Sequence, residues 1–236
     1  MIALKSTTIY YMLETKTPDV RFYVGPMGSG KTTELLKYLG GLSTINMPFA
    51  SFKSKLDIRE DGIKPRQMPE EFAAECVAVA GLERINAERL VEEGIETILL
   101  EEAHMFGYFL NHKINSGVYE RTMRNWGEIG IKYVIGAALN ISASKEHFPF
   151  ILDAEANGAE LIKLYSRCQY PIVKSEVLCG QQANNSQIYS VSKNKPYRPK
   201  SLPALLPQGD DKDRGYRAVC PSHLNLPDRE TLIFKG

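Results

Sequence analysis

Three features of this 236-residue sequence predict an α/β fold built on a mostly parallel sheet. Short apolar, β-branched runs alternate with segments of helical period through the first two-thirds of the chain. That alternation is the pattern of a sheet covered by helices on both faces. A glycine-rich turn joins the first run to the first helix, giving strand, loop and helix in immediate succession. Beyond Cys168 the texture changes: residues 175–215 are rich in Asn, Ser, Lys, Pro and Gly, hold four prolines between Pro196 and Pro207, and lack a helical period. An irregular stretch of that length in a compact domain is a functional loop or a disordered one. The expected division is a main unit over 1–165 and a small second unit over 166–236.

The elements follow in order. Residues 20–24 read as the first strand, ending at Gly25. Residues 31–39 place Leu35, Leu36 and Leu39 at helical spacing, and Gly40-Gly41 is expected to stop that helix. Residues 48–52 and 76–80 read as strands, with a short helix at 71–75 between them. Residues 83–93 carry Ile85, Leu90 and Val91 near helical spacing and stop at Gly94. Residues 97–100 form a strongly apolar strand closed by Glu101-Glu102. A helix over 118–129 holds Trp126 on its apolar side, a strand follows at 131–137, and a last helix spans 150–165. No internal repeat is visible.

Composition narrows the functional classes. Basic residues number 29 and acidic residues 28, so neither a strongly basic nucleic-acid scaffold nor an acidic tail is expected. A hydrophobic fraction of 43% with 24% charged residues excludes disorder and collagen-like repeats as the main theme. No apolar run approaches the roughly 18 residues of a membrane span, and residues 1–17 lack the pattern of a signal peptide. Four cysteines, at 76, 168, 179 and 220, are too sparse for a disulfide scaffold. The expectation is a cytoplasmic protein with reduced thiols.

The loop Gly25-Pro26-Met27-Gly28-Ser29-Gly30, followed by Lys31, Thr32 and Thr33, fits glycine, four residues, then Gly-Lys-Thr. Glycines let successive backbone N–H groups turn toward one anion, and the helix after them aims its positive end at the same point. Lys31 can reach outer phosphates and the Thr32 hydroxyl can ligate Mg²⁺. Glu101 and Glu102 lie at the C-terminal end of an apolar strand, the rim where open parallel sheets bind ligands. In phosphotransferases of this type one carboxylate there serves the metal's water shell, and a second can take a proton from an attacking hydroxyl; the other reading is a solvated strand end. Asp57 and Arg59 could serve metal and phosphate, although taken alone the pair reads first as a surface ion pair. Cys168, Cys179, Cys220 and His223 form a candidate zinc set. Cys220-Pro-Ser-His223 has knuckle spacing, but ten residues separate Cys168 from Cys179, against the usual two to four, so spacing alone leaves unrelated residues as the alternative. Cys76, within a small-residue apolar run, reads as a core thiol.

Taken together, several segments resemble the type II thymidine kinases over residues 22–223. Gly25-Pro-Met-Gly-Ser-Gly-Lys-Thr-Thr-Glu-Leu-Leu36 follows that family's phosphate loop; Phe52-Lys53 with Asp57-Ile-Arg59 resembles its Phe-Lys…Asp-Thr-Arg segment, and Asp61-Gly62 its next glycine turn. Leu100-Glu-Glu-Ala-His-Met-Phe106 resembles Ile-Asp-Glu-Ala-Gln-Phe-Phe; Cys179-Gly-Gln-Gln-Ala183 and Tyr216-Arg-Ala-Val-Cys220-Pro-Ser-His223 resemble the knuckle segments. The resemblance implies a RecA-like P-loop domain, a small zinc-bearing lasso domain closing over a nucleoside, ATP and Mg²⁺ as cosubstrates, and commonly a homotetramer. It implies that Lys31 and the loop from Gly25 to Thr33 hold ATP phosphates, that Thr32 holds Mg²⁺ with Asp57 in the outer shell, and that Glu101 replaces the usual aspartate there. Glu102 would be the base, Arg59 would steady the transferring phosphoryl group, and Met27, Phe106 and Tyr216 would enclose the nucleoside. It also assigns the four zinc ligands, with an eight-residue insertion between Cys168 and Cys179.

The departures fall mostly on the nucleoside side. Gly28 replaces a large aromatic, Gly136-Ala-Ala-Leu-Asn140-Ile141 replaces Gly-Leu-Asp-x-Asp-Phe, and Ser186-Gln-Ile188 replaces Thr-x-Arg. The expected activity is ATP-dependent phosphorylation of a deoxynucleoside 5′-hydroxyl, thymidine or a related pyrimidine. The competing readings are a nucleotide-binding protein that has lost the acceptor chemistry, and an ATPase acting on a macromolecule. Near-neutral charge without a basic stripe counts against nucleic acid as that macromolecule.

Overall fold

The computed structural model describes residues 17–57, 75–143, 145–171, 177–193, 195–196 and 214–224. A six-stranded sheet of order β3-β2-β4-β5-β1-β6 dominates it. Its strands are β1 (Asp19–Val24), β2 (Phe49–Ser54), β3 (Val77–Val79), β4 (Thr97–Glu101), β5 (Tyr133–Ala138) and β6 (Glu160–Lys163), and every pairing among them is parallel. Helix α1 (Lys31–Thr44) covers one face; α3 (Val118–Ile129) and α4 (Pro149–Ala156) cover the other, and the short α2 (Ala87–Glu92) precedes β4.

Alternation along the strands sorts residues between the faces. Ile98 and Leu100 of β4 enter the larger core with Phe22, Tyr119, Trp126 and Phe150, while Leu99 between them packs with Leu35, Leu36, Ile135 and Ala137 under α1. Phe150 meets Phe22 and Tyr119 edge-on, with ring centroids 5.7 and 5.6 Å apart. Edge-to-face contact sets the positive rim of one ring against the negative face of another. This aromatic knot lies beneath β1 and fixes the strand that delivers the glycine loop.

The later part of the chain adds two small antiparallel sheets. One pairs β7 (Ser166–Arg167) with β8 (Gln182–Ala183); the other sets β9 (Asn185–Ser190) between β10 (Lys195–Pro196) and β11 (Arg214–Val219). The stretch expected to be irregular is therefore partly a β-structure whose strands were too short and too polar to read.

Three other expectations are corrected. Helix α1 runs through Gly40-Gly41 to Thr44, because Leu42 is buried on the same face as Leu35 and its burial outweighs the glycine cost. The helix expected over 83–93 is a 3₁₀ turn, Leu82–Arg84, then α2, with Ile85 extended between them and Asn86 accepting a cap bond from the Arg89 amide at 3.0 Å. The helix expected over 150–165 ends at Ala156; Gly158 takes φ +85°, and the chain returns as β6 against β1. The helix expected at 71–75 lies, except for Glu75, outside the described residues, as does Arg59. No helix among the described residues is long and apolar enough to cross a membrane.

Candidate nucleotide and metal sites

The glycine loop leaves β1 in close contact with its neighbours. A Cβ on Gly25 would stand 2.4 Å from the Leu164 carbonyl oxygen, so only glycine fits there. Gly28 and Gly30 take φ +72° and +85°, left-handed values that glycine reaches without steric cost. Gly30 starts α1 with no side-chain cap, so the first-turn amides are available to an anion. The Ser29 hydroxyl oxygen is shielded from solvent and has no hydrogen-bond partner among the described residues. A buried hydroxyl without a partner costs free energy, and a phosphate oxygen would relieve it. Lys31, itself buried, donates from Nζ to the Pro26 carbonyl at 2.7 Å, folded back over the loop.

The opposite wall is built from β2 and β4. The Thr32 hydroxyl donates to Glu101 Oε1 at 2.8 Å, joining the loop to the end of β4. Lys53 stands directly opposite Glu101 in the β2–β4 register, and its Nζ lies 4.0 Å from Asp57 Oδ2, both side chains being buried. Thus the Thr32–Glu101 bond, the Glu101–Lys53 register and the Lys53–Asp57 pair line the C-terminal rim of the sheet in succession. Nearby Cys76 registers the dryness and charge of this wall: burial pushes its thiol up to about 12, helped by the negative field of Glu101.

Glu102 follows at φ +47°, ψ +44°, an uncommon conformation for a side-chain-bearing residue. It turns the chain from β4 into the 3₁₀ turn Ala103–Gly107. Its Oε2 lies 3.4 Å from Nδ1 of the buried His104. The Leu139 amide donates to that same nitrogen at 3.2 Å, so Nδ1 is an acceptor there and its one lone pair is taken by the backbone. The His104 ring rests on Phe148 with centroids 4.4 Å apart.

Of the residues expected to face a nucleoside, Met27 is half-buried in the loop and Tyr216 half-buried on β11 opposite Ile188. Phe106 is 1% exposed and packs toward Phe150 within the main core.

The structure brings Cys168, Cys179, Cys220 and His223 together, with all four ligand atoms within 4.8 Å of one another. His223 Nδ1 lies 3.6 Å from Cys168 Sγ and 3.3 Å from Cys220 Sγ. Tetrahedral zinc, with bonds of about 2.3 Å to sulfur and about 2.0 Å to nitrogen, separates such atoms by about 3.6 Å. The donor types and spacing therefore fit a zinc ion. The ten residues between Cys168 and Cys179 do not prevent this, because Tyr170 and Pro171 lead out and Leu178 and Cys179 lead back: Cys179 N donates to Tyr170 O at 3.0 Å, and Pro171 bridges Leu178. His223 is held flat against Tyr170, at 4.5 Å and an interplanar angle of 4°. The Arg217 guanidinium lies 4.7 Å from the ring centres of both Tyr170 and Tyr189, and its Nε donates to Gln187 at 2.9 Å.

Three residues of these sites carried no assigned role in the sequence reading. Lys53 had a usable signal, a lone cation inside the strand Phe49–Ser54. His104 stood within a motif but gave no hint of its contact with Glu102. Ser186 stood only as the replacement of a threonine in the family pattern, with no hint of its contact, since the Met27 amide that donates to its hydroxyl at 3.0 Å is 159 residues away.

A family model described as thymidine kinase matches residues 18–199. The chain is similar to a thymidine kinase of Thermococcus kodakarensis, 27% identical over 207 residues, covering 86% of this chain and 92% of the relative. Among solved structures it is similar to the genome packaging NTPase B204 of Sulfolobus turreted icosahedral virus 2 in complex with ATP-gammaS, at 13% identity and a TM-score of 0.40, over 64% of this chain and 76% of that one.

Proposed function

The chain belongs to the thymidine kinase family, and from that premise we propose that it transfers the terminal phosphoryl group of ATP to the 5′-hydroxyl of a deoxynucleoside, thymidine first among them. One observation carries the reading: the Thr32–Glu101 hydrogen bond of 2.8 Å ties the glycine loop to the strand end that presents Glu102. That tie supports a reading in which phosphate site and base are neighbours.

In this reading the loop from Gly25 to Thr33 cradles the phosphates through its amides, and Lys31 exchanges its bond to Pro26 for the outer phosphates. Mg²⁺, when bound, would offset the charge on the phosphate oxygens. Thr32 and Glu101 would hold it, with Asp57 kept in orientation by Lys53. Glu102 accepts the proton of the attacking hydroxyl, with its carboxylate held beside the buried ring of His104. Arg59 contributes positive charge to the transferring group. Residues 1–165 carry the nucleotide. Residues 166–236 close over the nucleoside with Tyr216, opposite Met27, while the core-buried Phe106 supports the site from beneath rather than touching the base, and the cysteine–histidine cluster holds a structural zinc. The reading includes a homo-oligomer, a tetramer by family resemblance, working in the cytoplasm on a small-molecule acceptor, with neither nucleic acid nor a membrane as partner.

The test is ATP consumption and monophosphate formation with Mg²⁺ across a panel of deoxynucleosides, with Glu102→Gln as control. Turnover with thymidine or deoxyuridine, reduced by a factor of about 10² or more in the variant while ATP still binds, is the expected result. Turnover confined to another nucleoside would locate the altered specificity at Gly28 and Asn140-Ile141. ATP binding without turnover on any acceptor would replace the kinase reading with that of a nucleotide-binding protein.

A further inference from the structure

The cysteine–histidine unit touches the glycine loop at two successive residues. The Met27 amide donates to Ser186 Oγ at 3.0 Å, and Ser166 Oγ donates to the Gly28 carbonyl at 3.2 Å. Both serines are placed by the cluster. Ser166 precedes Cys168 by two residues on β7, and Ser186 pairs with Ala218, two residues before Cys220. Backbone bonds from Cys168 N to Gln181 O and from Gln169 N to Ala218 O, at 2.7 and 2.8 Å, lock the two segments to each other.

The peptides they hold matter for phosphate binding. Pro26 has no N–H, so Met27 offers the first amide of the turn after Gly25, and the left-handed Gly28 follows it. Fixing residue 27 fixes the direction in which the following amides point, and a loop already set for its ligand binds more tightly than one that must be ordered. We propose that Ser186 is a positioning residue for the phosphate loop, assisted by Ser166, and that the cysteine–histidine cluster supports ATP affinity through these hydroxyls. Ser186 is 3% exposed whereas the Ser166 bond is open to solvent, so Ser186 carries most of the effect. This inference rests on the ATP-binding reading above.

The experiment measures ATP affinity by calorimetry without acceptor, together with metal content and hydrogen exchange at the Met27 amide. Ser186→Ala at full metal content is expected to weaken ATP binding about three- to tenfold and to speed Met27 exchange, as the loss of one buried hydrogen bond predicts. Ser186→Thr, which keeps the hydroxyl, is expected to stay within about twofold of the parent, and Ser166→Ala to cost less than about twofold. Stripping the metal from the parent should weaken ATP binding at least as much as Ser186→Ala does, and should add less in the Ser186→Ala background than in the parent. Unchanged affinity in Ser186→Ala, or metal removal that acts equally in both backgrounds, would overturn the inference while leaving the kinase reading intact. Should Ser186→Ala fail to fold, unchanged ATP affinity and Met27 exchange in the metal-stripped parent would overturn it alone. A parent that binds no ATP overturns both.

Discussion

Glu102 shows how a single backbone torsion re-aims a side chain at the end of a strand. The regular strand ends at Glu101, whose side chain faces the loop and accepts from Thr32. A left-handed residue next in line breaks the alternation of the strand, so two consecutive carboxylates need not point to opposite faces. Holding a glutamate in that region costs on the order of 1 kcal/mol, a cost that persists where the surroundings over-determine it and that clusters at functional positions. Cys76 makes the charge of the same wall measurable. Its folded thiol is raised from 9.0 to about 12, by burial first and Glu101 second. The folded state therefore holds that proton more tightly than the unfolded chain does. The associated stability is fully present below about pH 9 and is lost as pH rises toward 12. Urea unfolding at pH 8 and pH 10 is expected to show a fall in stability that Cys76→Ala lessens. An identical fall in the variant would mean that other groups govern the alkaline limb.

At the scale of elements, α1 combines a fixed start with an inefficient end. Gly40 and Gly41 lie inside the helix, are exposed, and have nothing within 4 Å of where a Cβ would stand. Each glycine there costs about 0.5–1 kcal/mol relative to alanine. Gly40→Ala with Gly41→Ala is expected to raise stability by about 1–2 kcal/mol, read as a higher urea midpoint at unchanged slope, with ATP affinity untouched. A lower midpoint would show that the second half of α1 needs the glycines for a contact outside the described residues. The same helix marks where the sequence is legible. The glycine loop, the strand at 97–101 and α3 were readable because local patterning and tertiary burial agree there. The end of α1 and strand β6 were not, because in each a distant partner overrode local preference: Leu42 reaches the core in one, and β1 supplies a ladder in the other. The loop residues and carboxylates were legible as a candidate site for a similar reason, since their spacing is set by one short loop and one strand end. Lys53, His104 and Ser186 act across strands or across units, and nothing local announces such contacts.

At the scale of the whole molecule, the parallel sheet and the cysteine–histidine unit solve different problems. The sheet buries a large apolar core on both faces, so the C-terminal rim that carries the candidate site is rigid. Among the described residues, the core cluster of the smaller unit is Cys168, Ala183, Ala218, Val219 and Cys220. A cluster of that size buries too little apolar surface to hold three short strand pairs and a stacked Arg217 by itself, and a bound metal would supply the missing cross-link. The consequence is visible in thiol chemistry. With zinc in place, Cys168, Cys179 and Cys220 should resist a disulfide reagent at neutral pH, and Cys76 should react slowly because burial keeps it protonated. A strong chelator should release one zinc per chain and render three thiols reactive, and equimolar zinc should restore their protection. Chelation should also open the 177–193 and 214–224 segments to limited proteolysis before the sheet unfolds, since the sheet does not depend on the cluster for its core. Three thiols reacting equally fast before and after chelation would show that the four side chains stand together without a metal, and the stability of the small unit would then have to come from its buried cluster, its strand ladders and the Tyr170–Arg217–Tyr189 stack.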